Sequence, residues 1–190
     1  EVVHEKFHPV IREAMLQYKD DAHIDGLLFN YLHFYGSYNY VADAYNWYRN
    51  EIRIIRNNKN IFSYKDAQGF RKNKNEKLSV KQIDACIYHY GWVKEPIAQQ
   101  RKQAVFHRLW HDDKWLEKNV LQTDEFNYTS IDSLKKFEGI HPAVMQERIR
   151  SMNWKFEFDI SKSRMKLKYR IRKWLEENFG ITVGEYRNYR

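Results

Sequence analysis

The sequence predicts an α/β fold, with strands before residue 95 and helices after it. Three observations lead there. Residues 24–35, 47–56 and 78–93 are apolar or alternating runs of strand length, rich in aromatic and β-branched side chains. From Pro96 onward the apolar residues recur at helical spacing instead. The chain of 190 residues, 43% hydrophobic and 31% charged, is ordinary for a soluble globular protein of one large domain or one and a half small ones. Few βαβ units are complete. The expected organisation is therefore half of an α/β sheet over residues 1–95 and a helical extension over 96–190.

Each element has a local reason. Glu1-Val2-Val3 reads as a strand end, and Pro9 opens a helix, because a proline at the first helical position sacrifices no hydrogen bond. Val10, Ile11, Ala14, Met15, Leu16 and Tyr18 supply its apolar face, and Asp20-Asp21 ends it. Gly36-Ser37 and Asn39 form a loop after the first long strand. In the next strand Ile52 and Ile54 share one face, with Arg53 and Ile55 on the other. Asn57-Asn58-Lys59-Asn60 is a turn, residues 61–70 are short and irregular, and 71–77 form a polar turn. Beyond Pro96 the pattern predicts one long helix over 98–118, short helices over 131–137 and 142–152, and an extended arm at Phe156, Phe158 and Ile160. A last helix over 167–179 has Leu167, Ile171, Trp174, Leu175 and Phe179 on one stripe and Gly180 as its C-cap.

Composition excludes several classes. No apolar run is long enough for a membrane span of about 18 residues. The single cysteine, Cys86, excludes an intrachain disulfide framework and fits a reducing compartment. No cleavable signal peptide is visible. The chain starts at Glu1, without a methionine and inside an ordered segment, so it reads as the trailing part of something longer.

His4-Glu5-Lys6-Phe7-His8 matches the zinc-protease pattern H-E-x-x-H, but that chemistry needs both histidines one turn apart on a helix. Pro9 disfavours helical backbone at His8, so the pair is not expected to share a turn. His107 and His111 have helical metal spacing but no third ligand in view, which favours a solvated helix face. Near the end of the strand over 78–93, His89 sits between Tyr88 and Tyr90, where α/β sheets bind ligands. It is either a metal ligand or a buried histidine satisfied by hydrogen bonds.

Several stretches together carry a resemblance: Glu1-Val2-Val3-His4-Glu5, Tyr31-Leu32-His33-Phe34-Tyr35-Gly36-Ser37-Tyr38, Tyr64-Lys65-Asp66-Ala67-Gln68-Gly69-Phe70-Arg71, Ile87-Tyr88-His89-Tyr90-Gly91-Trp92-Val93 and His141-Pro142-Ala143-Val144-Met145. In their order and spacing the chain resembles bacterial family 2 glycosyltransferases of the GT-A fold, beginning in the middle of such a protein. The resemblance implies the second half of a Rossmann-like, mixed-sheet GT-A domain followed by a helical C-terminal extension, without the nucleotide-binding half. It implies transfer of a sugar from a nucleotide-sugar donor to a glycan or lipid-linked acceptor in bacterial envelope polysaccharide synthesis. A divalent cation, manganese or magnesium, would neutralise the leaving diphosphate. By the same resemblance Glu1 would be the last acidic member of the metal motif, and His89 would complete the metal shell. The isolated chain would be inactive, and the enzyme cytoplasmic, at the inner face of the cytoplasmic membrane as a peripheral protein.

An inverting transferase needs a carboxylate base for the acceptor proton. Asp66, in a glycine-bounded loop, is the candidate, with an aspartate that stabilises its own turn as the alternative; Asp43 is a weaker choice. Lys65 and Arg71 could meet the donor phosphates. Tyr38 and Tyr40 could stack on acceptor sugar, while Tyr45 and Trp47 read as packing.

The net charge is +8, and residues 161–190 hold nine Lys and Arg against Glu176, Glu177 and Glu185, so six of those positive charges lie in the tail. A basic amphipathic helix suits an anionic membrane surface or a partner; the bland alternative is a solvated helix packed on the domain. Basic charge with aromatics making up 16% of the chain also allows a nucleic-acid-binding or interaction module without catalysis. The charge is concentrated in one tail and no recognition motif is present, so no nucleic acid is expected as a partner.

Overall fold

A computed structural model gives the structure of residues 1–65, 69–162, 165–181 and 187–190. In chain order the elements are β1 (Val2–Val3), α1 (His8–Tyr18), β2 (Gly26–Tyr35), β3 (Tyr40–Ala42), β4 (Asn50–Ile55), β5 (Ile61–Ser63), β6 (Phe70–Lys72), β7 (Glu76–Lys77), β8 (Val80–Trp92), α2 (Pro96–His107), α3 (Asp113–Asn119), β9 (Leu134–Lys136), α4 (Gln146–Arg150) and α5 (Leu167–Phe179). The fold is mixed α/β. The chain forms two units: Glu1–Leu32, Tyr45–Tyr88 and Leu167–Arg190 make the first, and His33–Ala44 and His89–Lys166 the second. Each unit draws on chain from both sides of residue 95.

In the first unit β1 pairs antiparallel with β8 (Val2 opposite Tyr88), β8 pairs with β2, and β4 pairs antiparallel with β2. Asp25 N donates to Ser79 O at 2.7 Å, and Gln82 Nε2 donates to Asn30 Oδ1 at 2.8 Å. Residue numbers rise together along β2 and β8, so these two strands are parallel and the sheet is mixed. Alternation along the strands splits the apolar side chains between two faces. Leu27, Phe29, Tyr31, Ile83, Ala85 and Ile87 bury one face under Ala14 of α1. Leu28, Ile52 and Leu78 bury the other.

The expectation for β4 needs correction. Leu27 faces Ile54 while Leu28 faces Ile52, which leaves Arg53 as the extra residue of a β-bulge. The bulge moves Ile54 to the α1 face while Ile52 and Ile55 stay on the opposite one. Gly26 permits the close strand approach, since a Cβ there would lie 2.5 Å from Ile54 O. Arg56, just after β4, fastens the end of α1. Its guanidinium donates to Ile24 O (2.5 Å), Lys19 O and Tyr18 O (2.7 Å each), and also to Asp21 O. The Tyr18 and Lys19 carbonyls lie at the helix end, where carbonyls run out of intrahelical donors. A small antiparallel sheet, β5–β6–β7, completes this unit, with Asn73 and Asn75 at positive φ between β6 and β7.

In the second unit β3 pairs antiparallel with β2 (Phe34 opposite Val41) and with β9 (Tyr40 opposite Lys136). The helix expected over 131–137 is therefore a strand. Ser133 Oγ donates to Asp43 Oδ1 at 2.5 Å and Phe137 N to Asn39 O at 2.8 Å, so both ends of β9 are tied to the β3 region. The long helix expected over 98–118 divides into α2 and α3. The Asp112 carboxylate accepts from Trp115 N at 2.8 Å and caps a new helix there. Among the described residues no helix is long and apolar enough to cross a membrane.

Candidate functional site

The second unit places two histidines side by side near the ends of β2 and β8. His33 Nδ1 and His89 Nδ1 are 3.1 Å apart, with the rings near perpendicular at 75°. His33 is only 2% exposed. Gly91 leaves room for the partner ring, since a Cβ there would lie 2.6 Å from His89 Nε2. Two facing Nδ1 atoms can share one proton, with one ring donating and the other accepting. A second proton on that contact would set two donors against each other. The pair is thus a one-proton relay, or two nitrogen donors facing one cation.

The opposite side chains of the same strands build an aromatic cluster. Phe34 stacks on Tyr90 at 4.6 Å and lies against Phe137 and His141. Tyr90 Oη lies 2.8 Å from His141 Nδ1. Tyr38 packs beside Tyr90 and His141, and its burial raises the phenol pKa. Tyr40 Oη accepts from Phe158 N at 3.2 Å, and its ring meets Phe156 edge-on. Tyr38 and Tyr40 are both buried, so contact with an acceptor sugar would require their rings to be uncovered.

The other residues singled out in the sequence have these positions. Glu1 belongs to the first unit, where Arg53 Nε and a terminal nitrogen donate to its two oxygens at 2.9 and 2.8 Å. Burial alone would raise this carboxyl, but hydrogen bonds from Arg53 and Tyr31 and the charge of Arg53 bring it down to about 2. Lys65 is exposed at φ 41° with its ammonium near the Tyr64 ring. Arg71 is 4% exposed. It donates to Phe70 O and Asn188 O at 2.9 and 3.1 Å and stacks on Tyr64. Asp66 lies outside the described residues. The Asp43 carboxylate serves Ser133.

The two histidine motifs are also placed. His4 is extended, at ψ 141°, and precedes a 3-10 turn, while His8 begins α1, so they share no helical turn. His107 ends α2, and His111 stacks on Trp115 at 3.6 Å. Among the described residues no group of three or more His, Cys, Asp and Glu could hold a metal ion. The first unit also carries an open groove of about 700 Å³ between α1 and β4, lined by Met15, Tyr18, Leu27, Ile54 and Asn58 among others. None of the residues proposed from the sequence lines it.

His33 went unselected in the sequence. The signal was there: each histidine sits between large apolar or aromatic neighbours, Leu32 and Phe34 or Tyr88 and Tyr90, with a glycine two or three residues later. No protein-family model matches the chain, and no curated protein or solved structure matches it.

Proposed function

We propose that the chain is the acceptor-side part of a GT-A-type glycosyltransferase resembling family 2, acting with the nucleotide-binding half that the resemblance implies. The observation that carries this reading is the His33–His89 pair near the ends of two parallel strands, where α/β folds bind ligands. Two imidazole nitrogens suit a manganese ion that takes its remaining ligands from carboxylates, a donor diphosphate and water. Bound there, such a cation would supply charge neutralisation for the leaving group.

In this reading a carboxylate base takes the proton from the acceptor hydroxyl. The acceptor oxygen forms the new bond to the sugar C1 as the bond from C1 to the nucleoside diphosphate breaks, and the diphosphate leaves with the electron pair. His33 stands beside His89 in this reading as the second nitrogen ligand.

Thermal melting of the chain together with that nucleotide-binding half, with UDP or GDP and with or without Mn²⁺, tests the proposal. Ligand at 100 times its dissociation constant should stabilise by about 2.7 kcal/mol. The manganese-dependent part should vanish in His89→Ala, while melting without ligand reports any structural cost of the substitution. Absence of a manganese-dependent shift with either nucleotide would overturn the metal–nucleotide reading. Sugar transfer by the 190 residues alone would overturn the need for that half.

A further inference from the structure

Helix α5 is attached to its unit through its polar side. Glu176 accepts from Tyr45 Oη and from Arg49, whose nitrogen lies 2.7 Å from both carboxylate oxygens. At 3.6 residues per turn, Leu167, Ile171 and Trp174 project to the side opposite Glu176. They are 69%, 50% and 55% exposed, so the apolar stripe faces outward. This is the reverse of a helix packed on a core, where the stripe goes in and the charges stay out.

Charge on the same element selects what could cover that stripe. Helical geometry puts Lys168 on one flank of Leu167, Ile171 and Trp174 and Arg170 on the other, and both are exposed. Long basic side chains flanking an apolar stripe can reach sideways to phosphates while the stripe enters an acyl layer. Trp174 supplies the amphipathic ring that favours the boundary between headgroup and hydrocarbon. A purely apolar protein groove would leave the two flanking cations without partners. Nucleic acid would answer the cations but leave Leu167 and Ile171 in water. An anionic bilayer answers both.

We infer that α5 docks the protein on an anionic membrane surface, with Leu167, Ile171 and Trp174 entering the headgroup layer and Lys168 and Arg170 meeting lipid phosphates. Docking would hold whether or not the chain transfers sugar. If it does, the helix would hold it beside a lipid-linked acceptor.

Flotation of the whole chain with vesicles of phosphatidylglycerol and phosphatidylcholine, compared with vesicles of phosphatidylcholine alone, tests this. The chain should float with the anionic vesicles and leave them as salt rises. Replacing Lys168 and Arg170 together by Gln should weaken binding by about thirtyfold, at about fivefold per charge. Ile171→Ser with Trp174→Ser should weaken it at least tenfold, with thermal melting unchanged because both side chains are exposed. The charge variant retains the whole apolar stripe, so it tests docking even if the apolar variant misfolds. Failure to float with anionic vesicles at low salt would overturn the inference, as would equal binding to neutral vesicles or binding untouched by both variants. A dimer abolished by the serine variant would assign the stripe to a second copy. Tighter binding to a single-stranded oligonucleotide than to anionic vesicles would assign the flanking cations to nucleic acid. Either result would also overturn it.

Discussion

Helices α1 and α5 belong to the same unit, and both carry an apolar stripe, yet they use it in opposite ways. In α1, Ala14 is buried, and Ile11 and Tyr18 pack on Leu27, Phe29 and Ile83 of the sheet. In α5, Leu167, Ile171 and Trp174 face solvent while Glu176 faces Tyr45 and Arg49. The apolar residues of α1 stabilise the fold by leaving water, whereas those of α5 remain available to another apolar medium. Helical periodicity shows that a stripe exists, but not what will cover it.

The comparison can be broken most directly beneath α1. Phe29→Ala removes an aromatic side chain that is 1% exposed against that helix and should cost about 3–5 kcal/mol, read by urea unfolding. A loss below about 1 kcal/mol would mean that α1 is not held by this face. Next comes the clamp at its end. Arg56→Leu leaves four carbonyls without their charged donor and should cost about 2–3 kcal/mol in the same experiment.

The anchor of α5 is weaker, because its ion pair is partly exposed. Glu176→Gln should cost about 1 kcal/mol or less and should speed proteolysis within α5 more than elsewhere. Its pH dependence has a definite sign. Burial would raise the Glu176 pKa, but hydrogen bonds from Tyr45 and Arg49 and the Arg49 charge lower it below the ordinary 4.5. The unfolded chain therefore takes up this proton first. The stabilisation is complete above pH 4.5 and fades as pH falls through the folded value, so the protection of α5 should fall with it. Protection that rises on acidification would contradict the anchor. The smallest effect belongs to Ile171→Ser, which should change stability by less than about 0.5 kcal/mol while weakening vesicle binding. A large loss of stability would show that the stripe is covered within the protein.

Much of the fold was legible in the chain, for local reasons. The apolar runs at 24–35 and 78–93 contain β2 and β8, Pro9 stands at the start of α1, and Gly180, at φ 66°, closes α5 as a C-cap. Propensity and periodicity suffice for long elements. Asp112 was a readable cap inside the stretch 98–118, overlooked because apolar residues continue on both sides of it. β9 was not readable, because three residues carry no period; its strand state comes from β3 and from the ties at Ser133 and Phe137. The bulge at Arg53 was equally hidden, since only the register of β2 shows that Ile52 and Ile54 part company. Within the candidate site His89 stood out by its place at a strand end, but His33 became meaningful only as its neighbour.

By itself the sequence determined where the long strands and amphipathic helices lie and where positive charge collects, because these depend on neighbours along the chain. Tertiary structure alone decided which strands pair, that His33 meets His89 across 56 positions, and that α5 turns its apolar stripe outward. Those outcomes rest on contacts between distant segments, and no local pattern encodes which surface another part of the chain will cover.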